Sequence, residues 1–224
     1  MFIGHYAAAF GARAFKPAIP LWQLFLAVQA VDIGWAILVL LGVEKFRIIP
    51  GFLEASPLDL YYMPFTHSLV ASVIWAVVLG ILYALRRKGV NARAAGIILG
   101  FAVLSHWFAD LLVHAPDLPL VSDDPKFGFG LWRSILWSQI AEIGLLALGF
   151  WFYLRNTKAI KPSAKWLLFA LVGFMVLVQV YSLTSAAPTG EGAVSEFAIT
   201  ALVSYFIFAG LAFAVDRTRK SLTH

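Results

Sequence analysis

Of the chain's 224 residues, 61% are hydrophobic and 13% charged, where an ordinary soluble domain carries roughly 45–50% and 25%. The formal net charge of +5 comes from basic residues set between apolar runs rather than gathered on one patch, so a nucleic-acid partner is not implied. The absence of cysteine excludes disulfide scaffolds, thiolate metal sites and cysteine nucleophiles, and leaves His and carboxylates as the strong metal ligands.

In chain order, Phe2–Lys16 lacks the basic leader and small-residue cleavage site of a signal peptide and is too short to span a bilayer. Its Ile3, Tyr6, Ala7, Phe10 and Phe15 fit a half-buried or interfacial helix that ends at Pro17. If that helix re-enters the membrane from Lys16, His5 rises roughly 16 Å, to the level that Asp32 reaches eleven residues above Leu21. Six apolar stretches are then long enough to cross a hydrocarbon core: Leu21–Val43, Phe65–Leu85, Ala94–Val113, Leu131–Leu154, Trp166–Ser185 and Phe197–Val215. The expected fold is all-α. It is a single integral membrane domain over residues 1–224, with a half-helix over 1–20 and six transmembrane helices joined by loops, the longest being Glu44–Pro64 and Ala115–Gly130. Of the 17 Lys and Arg, all but Lys45, Arg47, Lys126 and Arg133 fall on the side of the termini, which places both ends in the cytoplasm.

An Asp or Glu near the bilayer centre costs a few kcal/mol or more unless it faces a protein interior and has a partner. Such residues are concentrated in the first four spans: Asp32, His67, the His106/Asp110/His114 series and Glu142. Spans five and six carry none. His106, Asp110 and His114 recur every four residues, so they stack along one helix face within about 12 Å. Ligands four apart on a helix can reach one ion, with further ligands supplied by other helices. Alternating span directions let Asp32, His67, His106, Asp110 and Glu142 converge in the outer half of the membrane. Three positions have a second explanation. Glu142 shares a face with Ser134, Ser138 and Gln139 and is either catalytic or bonded to neighbours on its own helix. His114 adjoins the Ala115–Pro116–Asp117 turn and is either a substrate contact or a cap, and His224 ends a polar tail.

Four strings in this order, Gly4–His5, Val31–Asp32–Ile33, Phe65–Thr66–His67–Ser68–Leu69, and Ser105–His106 with Ala109–Asp110, resemble those of the membrane-bound, metal-dependent hydrolases, also called LexA-binding, inner-membrane-associated hydrolases. That family is in turn similar to zinc-dependent phospholipase C. The resemblance covers roughly residues 4–120 and implies a bacterial inner-membrane location, with His5, Asp32, His67, His106 and Asp110 as metal ligands. The chain departs from the family at Gly34 and Trp35, where a second acid and a His are usual, and at Tyr62, Met63 and Pro64, where His-Arg-Gly is usual.

These features lead to an expected membrane-embedded hydrolase whose divalent ion, zinc being favoured, activates water against a lipid-like phosphoester, ester or amide. Either Asp32 or Glu142 acts as general base, and the other completes the metal shell or orients a His. Arg133, beside Trp132, is either a clamp for an anionic headgroup or an interfacial anchor. An ion-coupled transporter and a membrane protein with a purely structural metal are the competing expectations, and a ceramidase-like hydrolase lacks support because the last span has no paired histidines.

Overall fold

The computed structural model describes residues 1–15 and 19–222; the expected turn at Lys16 and Pro17, and His224, lie outside the described residues. The chain begins with a 3₁₀ turn, Ile3–His5, that runs into α1 (Tyr6–Phe15). Next come α2 (Leu21–Val28), α3 (Ala30–Leu40), a hairpin of β1 (Lys45–Leu53) and β2 (Ser56–Tyr62), α4 (Leu69–Arg86) and α5 (Ala92–Val113). A two-stranded ribbon of β3 (Leu118–Pro119) and β4 (Lys126–Phe127), and a 3₁₀ turn, Leu131–Arg133, lead to α6 (Ile135–Asn156). The chain then forms β5 (Thr157–Ala159), α7 (Ala164–Thr184), α8 (Ala193–Asp216) and β6 (Arg219–Ser221), which pairs with β5. Among the described residues, five helices, α4 to α8, are long and apolar enough to cross a membrane, and α2 with α3 makes a sixth if the bent pair is one span.

Three expectations are corrected by the structure. The stretch 21–43 is not one helix, because it breaks at Gln29 and bends by 52°. Broken helices are tolerated at membrane depth where protein groups satisfy the freed backbone. That condition holds at Val28, whose carbonyl faces His106 Nδ1 at 2.7 Å; Gln29 itself is fully buried, its Nε2 donating to the Phe2 carbonyl at 3.3 Å. The segment expected as a loop over Glu44–Pro64 is an antiparallel hairpin, so the chain is mostly helical but not purely α. Its β-branched and aromatic content suits strands. Phe46, Leu60 and Met63 bury against Trp35, Leu118 and Ala198, and the tip is held by the Ala55 amide donating to the Trp132 carbonyl at 2.9 Å. The fourth span also starts later than Leu131, because Gly130 (φ 75°) and extended Ser134 bracket a 3₁₀ turn before the helix begins.

The N-terminal segment is buried inside the bundle rather than laid on its surface. Ile3, Tyr6, Ala9 and Phe10 have no exposed area, and Phe10 packs its ring against Phe25, Phe150 and Tyr153. Small residues make the close approaches possible. An added Cβ at Gly149 on α6 would come 2.5 Å from the Ala7 carbonyl oxygen and 2.6 Å from its Cα, so α1 can only seat where α6 carries glycine. Between α4 and α5, a Cβ at Gly80 would come 2.7 Å from the Gly96 carbonyl oxygen, so those helices touch backbone to backbone. At the far end, Asp216 accepts from the Trp22 amide at 3.2 Å at the start of α2.

Gly149→Leu should therefore displace α1 and destabilise the fold by about 1–3 kcal/mol, the usual range for overpacking a close contact. Gly144→Leu on the same helix, where an added Cβ meets nothing within 4 Å, should cost far less. Thermal unfolding of the two purified variants makes the comparison; equal melting temperatures would contradict the close seating of α1 on α6.

Candidate metal centre

Three helices, the segment before α4 and the N-terminal turn deliver the site. Asp32 lies in the first turn of α3, just past the break at Gln29. His67 ends the short segment before α4. That segment is fixed by the Ser68 side chain accepting the Ala71 amide at 3.1 Å, by Ser72 Oγ donating to the Thr66 carbonyl at 3.1 Å, and by Trp107 Nε1 donating to the His67 carbonyl at 3.0 Å. His106 and Asp110 come from α5, His114 caps that helix, and Glu142 comes from α6. His5, His67, His106, Asp110, His114 and Glu142 are each at most 3% exposed, and Asp32 is 9% exposed.

Asp110 is the focus of the cluster. Its Oδ1 lies 3.1 Å from His5 Nε2 and 3.5 Å from His114 Nε2, and its Oδ2 lies 3.1 Å from His106 Nε2 and 3.7 Å from His67 Nε2. The Met1 amino group also pairs with Asp110 Oδ1. Asp32 Oδ1 stands 3.3 Å from His67 Nε2 and 3.4 Å from His106 Nε2, while Tyr205 on α8 donates its hydroxyl to Asp32 Oδ2 at 2.9 Å. The His5 and His106 rings stack with centroids 3.8 Å apart.

The outer nitrogens of three imidazoles are already engaged. His106 Nδ1 meets the Val28 carbonyl at 2.7 Å, His67 Nδ1 meets Thr66 Oγ1 at 2.8 Å, and His114 Nδ1 meets Asp117 Oδ1 at 2.8 Å. A carbonyl or carboxylate can only accept, so His106 and His114 carry their proton on Nδ1. Thr66 gives its own hydroxyl proton to Glu44 Oε2 at 2.6 Å, so its oxygen is the acceptor for His67 Nδ1–H. Each neutral ring then turns the lone pair of Nε2 toward the carboxylates, which is the tautomer a metal ligand needs.

The donor set fits a cation. His5 Nε2 and His106 Nε2 are buried without a hydrogen-bond partner although each lies 3.1 Å from an Asp110 oxygen. Donors around a tetrahedral ion, at about 2.0–2.1 Å from it, stand roughly 3.3 Å from one another, close to the spacings observed. Two groups, His5/Asp32/His106 and His67/His106/Asp110, each hold their ligand atoms within 4.8 Å of one another. Two carboxylates among neutral imidazoles also match the charge of a divalent ion. The buried His and Asp residues can therefore hold a metal ion.

The five residues expected to bind metal, His5, Asp32, His67, His106 and Asp110, are brought together. Glu142 lies beside them, and its partners are not on its own helix: its oxygens accept the Phe2 amide at 2.8 Å and the Gly4 amide at 2.7 Å. His114 reaches both its turn, through Asp117, and the cluster, through Asp110. Arg133 is exposed and is not brought to the site, because the 3₁₀ turn directs the neighbouring Trp132 inward instead, where its ring packs on His114 at 4.2 Å.

Sequence reasoning missed Glu44, Thr66 as a partner of His67, and Tyr205. Glu44 is 1% exposed and accepts the Phe65 amide at 2.8 Å, the Thr66 amide at 3.0 Å and the Thr66 hydroxyl. Burial pushes its carboxyl above the ordinary value, and the three donors keep it in one orientation. Tyr205 carries no formal charge, so a search for ionisable residues in apolar spans passes over it.

Beside the cluster a cavity of about 730 Å³ opens among α6, α7, α8 and the β1–β2 hairpin, with Asp32, His67, Asp110, His114 and Glu142 in its wall. Comparisons with protein-family models, with curated proteins and with solved structures found no match to this chain. Fold and site together define a helical chain with membrane-length apolar helices and a buried His/Asp centre able to hold a metal.

His67→Ala and His106→Ala should each abolish stoichiometric metal binding while leaving helix content intact. Glu44→Gln should weaken it by about 10–100-fold, the usual effect of losing an outer-shell partner. Metal titration of the purified variants by calorimetry tests both; full occupancy in the two His variants would contradict the site.

Proposed function

We propose that the chain is a membrane-embedded, metal-dependent hydrolase that acts on a lipid-like phosphoester, ester or amide, with zinc as its ion. In this proposal it resides in a bacterial inner membrane with both termini in the cytoplasm, in line with the distribution of Lys and Arg. The observation that carries the proposal is the common orientation of three buried imidazoles. Each is bonded through Nδ1 and turns Nε2 to shared carboxylates in the wall of a cavity large enough for a lipid head and part of a chain.

His67, His106 and Asp110, with His5 and Asp32, would hold the ion. When bound, it supplies Lewis acidity that polarises the scissile oxygen and makes water nucleophilic near neutral pH. Asp32 belongs to the ligand set, with Tyr205 and two imidazoles fixing its carboxylate. Glu142 is then the general base. Its oxygens are oriented by the Phe2 and Gly4 amides, and each retains a second lone pair on which a proton from water can be received and returned to the leaving group. The stacked His5 ring and the indole of Trp35, which packs edge-on to His67, exclude bulk water from the centre.

Purified protein should contain stoichiometric metal and turn over at least one class in a panel of phosphoester, ester and amide lipids, with activity lost on chelation and restored by zinc. Glu142→Gln should lower turnover by about 10²–10⁴-fold, the range for loss of a general base, while leaving metal content unchanged. Full activity after complete metal removal contradicts the proposal. A melting temperature that falls on chelation, with no turnover of any lipid before it, assigns the metal a structural role.

A further inference from the structure

The wall of the cavity is unevenly charged. Among its described residues there is no Lys or Arg, whereas Asp32, Asp110 and Glu142 line it at the centre and the exposed Glu54 and Glu196 line it at the hairpin tip and the start of α8. The cationic group that touches it, the Met1 amino terminus, is paired with Asp110. A phosphate is held best by a guanidinium fork or by ammonium groups. Arg133, the basic residue nearest in sequence, is exposed and outside the lining.

Two unmatched polar atoms add direction. Gln179 on α7 is 4% exposed; its Nε2 donates to Gln139 Oε1 across to α6 at 3.1 Å, and its own Oε1 has no donor. Trp35 Nε1 is buried without an acceptor. Both residues line the cavity. Buried polar groups are ordinarily satisfied, so the lining presents one acceptor that calls for an N–H or O–H and one donor that calls for an oxygen.

We infer that the cavity takes an uncharged acyl lipid, a carboxylic amide or ester, whose head donates an N–H or O–H to Gln179 Oε1, and that it discriminates against phosphate-bearing lipids. The choice of scissile bond rests on the hydrolase proposal above; the binding preference does not. Hydrolysis of such a bond consumes one water: the acyl C–N or C–O bond breaks, the water oxygen joins the acyl carbon, and one water proton passes to the leaving amine or alcohol. A carbonyl is neutral in the ground state and is not repelled by the carboxylate wall, whereas a phosphate would add charge beside Glu54, Glu142 and Glu196, the lining acids that are outside the metal-ligand set.

The test compares two probes that differ only in the phosphate, N-dodecanoyl ethanolamine and its O-phosphate. Each is titrated into the full-length protein in a maltoside detergent, and binding is followed by tryptophan fluorescence, since Trp35 and Trp132 line the cavity. The hydroxyl probe should bind at least about tenfold more tightly than the phosphate probe, and Gln179→Leu should weaken the hydroxyl probe about tenfold. Gln179→Glu, which keeps an acceptor, should retain the hydroxyl probe and weaken the phosphate probe further. Thermal unfolding confirms that both variants are folded. Equal or tighter binding of the phosphate probe, or a hydroxyl-probe affinity unchanged in Gln179→Leu, overturns the inference. Binding of the hydroxyl probe as expected, with no hydrolysis of any ester, amide or phosphoester, removes the hydrolase proposal alone; turnover confined to phosphoesters removes this inference alone.

Discussion

A carboxylate in a membrane-thick helical bundle must be matched or it will not stay charged, and Asp110 is the group around which that matching is done. The Met1 amino group pairs with it directly, and four imidazole Nε2 atoms lie within 4 Å of its two oxygens, where a cation held between lone pair and carboxylate would complete the matching. They arrive from the N-terminal turn, the segment before α4, α5 itself and the cap of α5. Burial of unpaired charge costs several kcal/mol even after relaxation, so the centre holds only if all of these elements are in place together. The polar centre therefore constrains the apolar packing around it.

Several local oddities follow from this requirement. The break at Gln29 interrupts what would otherwise be a regular span, yet it leaves the Val28 carbonyl facing His106 and starts a new helix whose first turn carries Asp32. Placing a carboxylate in the first turn of a helix is favourable, because the unsatisfied N–H groups there carry partial positive charge. Glycine at 149 lets α1 approach α6 closely enough for the Phe2 and Gly4 amides to reach Glu142. The hairpin, with Glu44 just ahead of it, orients His67 through Thr66. The break at Gln29 and the segment before α4 thus serve the centre, while α7 and α8 present large apolar side chains such as Leu177 and Phe206 outward.

The helical body was legible because apolar runs of membrane length leave little freedom of interpretation, and the strands and breaks were not. Gln29 is one of three polar residues, with Gln23 and Asp32, in an otherwise apolar run, and its effect depends on a partner, the Phe2 carbonyl, that is close only after folding. The hairpin was hidden by Pro50, Gly51 and Pro57, which read as loop residues until Phe46 and Leu60 are seen to bury against Trp35 and its neighbours. The cluster at His5, Asp32, His67, His106 and Asp110 could be located from the cost of intramembrane charge and from the four-residue spacing on α5, and the same residues carry the resemblance. Tyr205 and Gln179 could not, because a neutral polar residue in a span costs little and leaves a weak signal. Arg133 illustrates the opposite error: its charge drew attention, but a one-residue difference in orientation put Trp132 at the cavity in its place.

The central claim is that imidazole Nε2 atoms and aspartate oxygens at this centre bind one class of ion directly. X-ray absorption at the metal edge of zinc-loaded, purified protein tests it most directly. The account predicts a first shell of nitrogen and oxygen at about 2.0–2.2 Å with the multiple-scattering pattern of at least two imidazoles, and loss of that pattern in His106→Ala. Zinc with an oxygen-only shell, or an imidazole signal unchanged in His106→Ala, would contradict it.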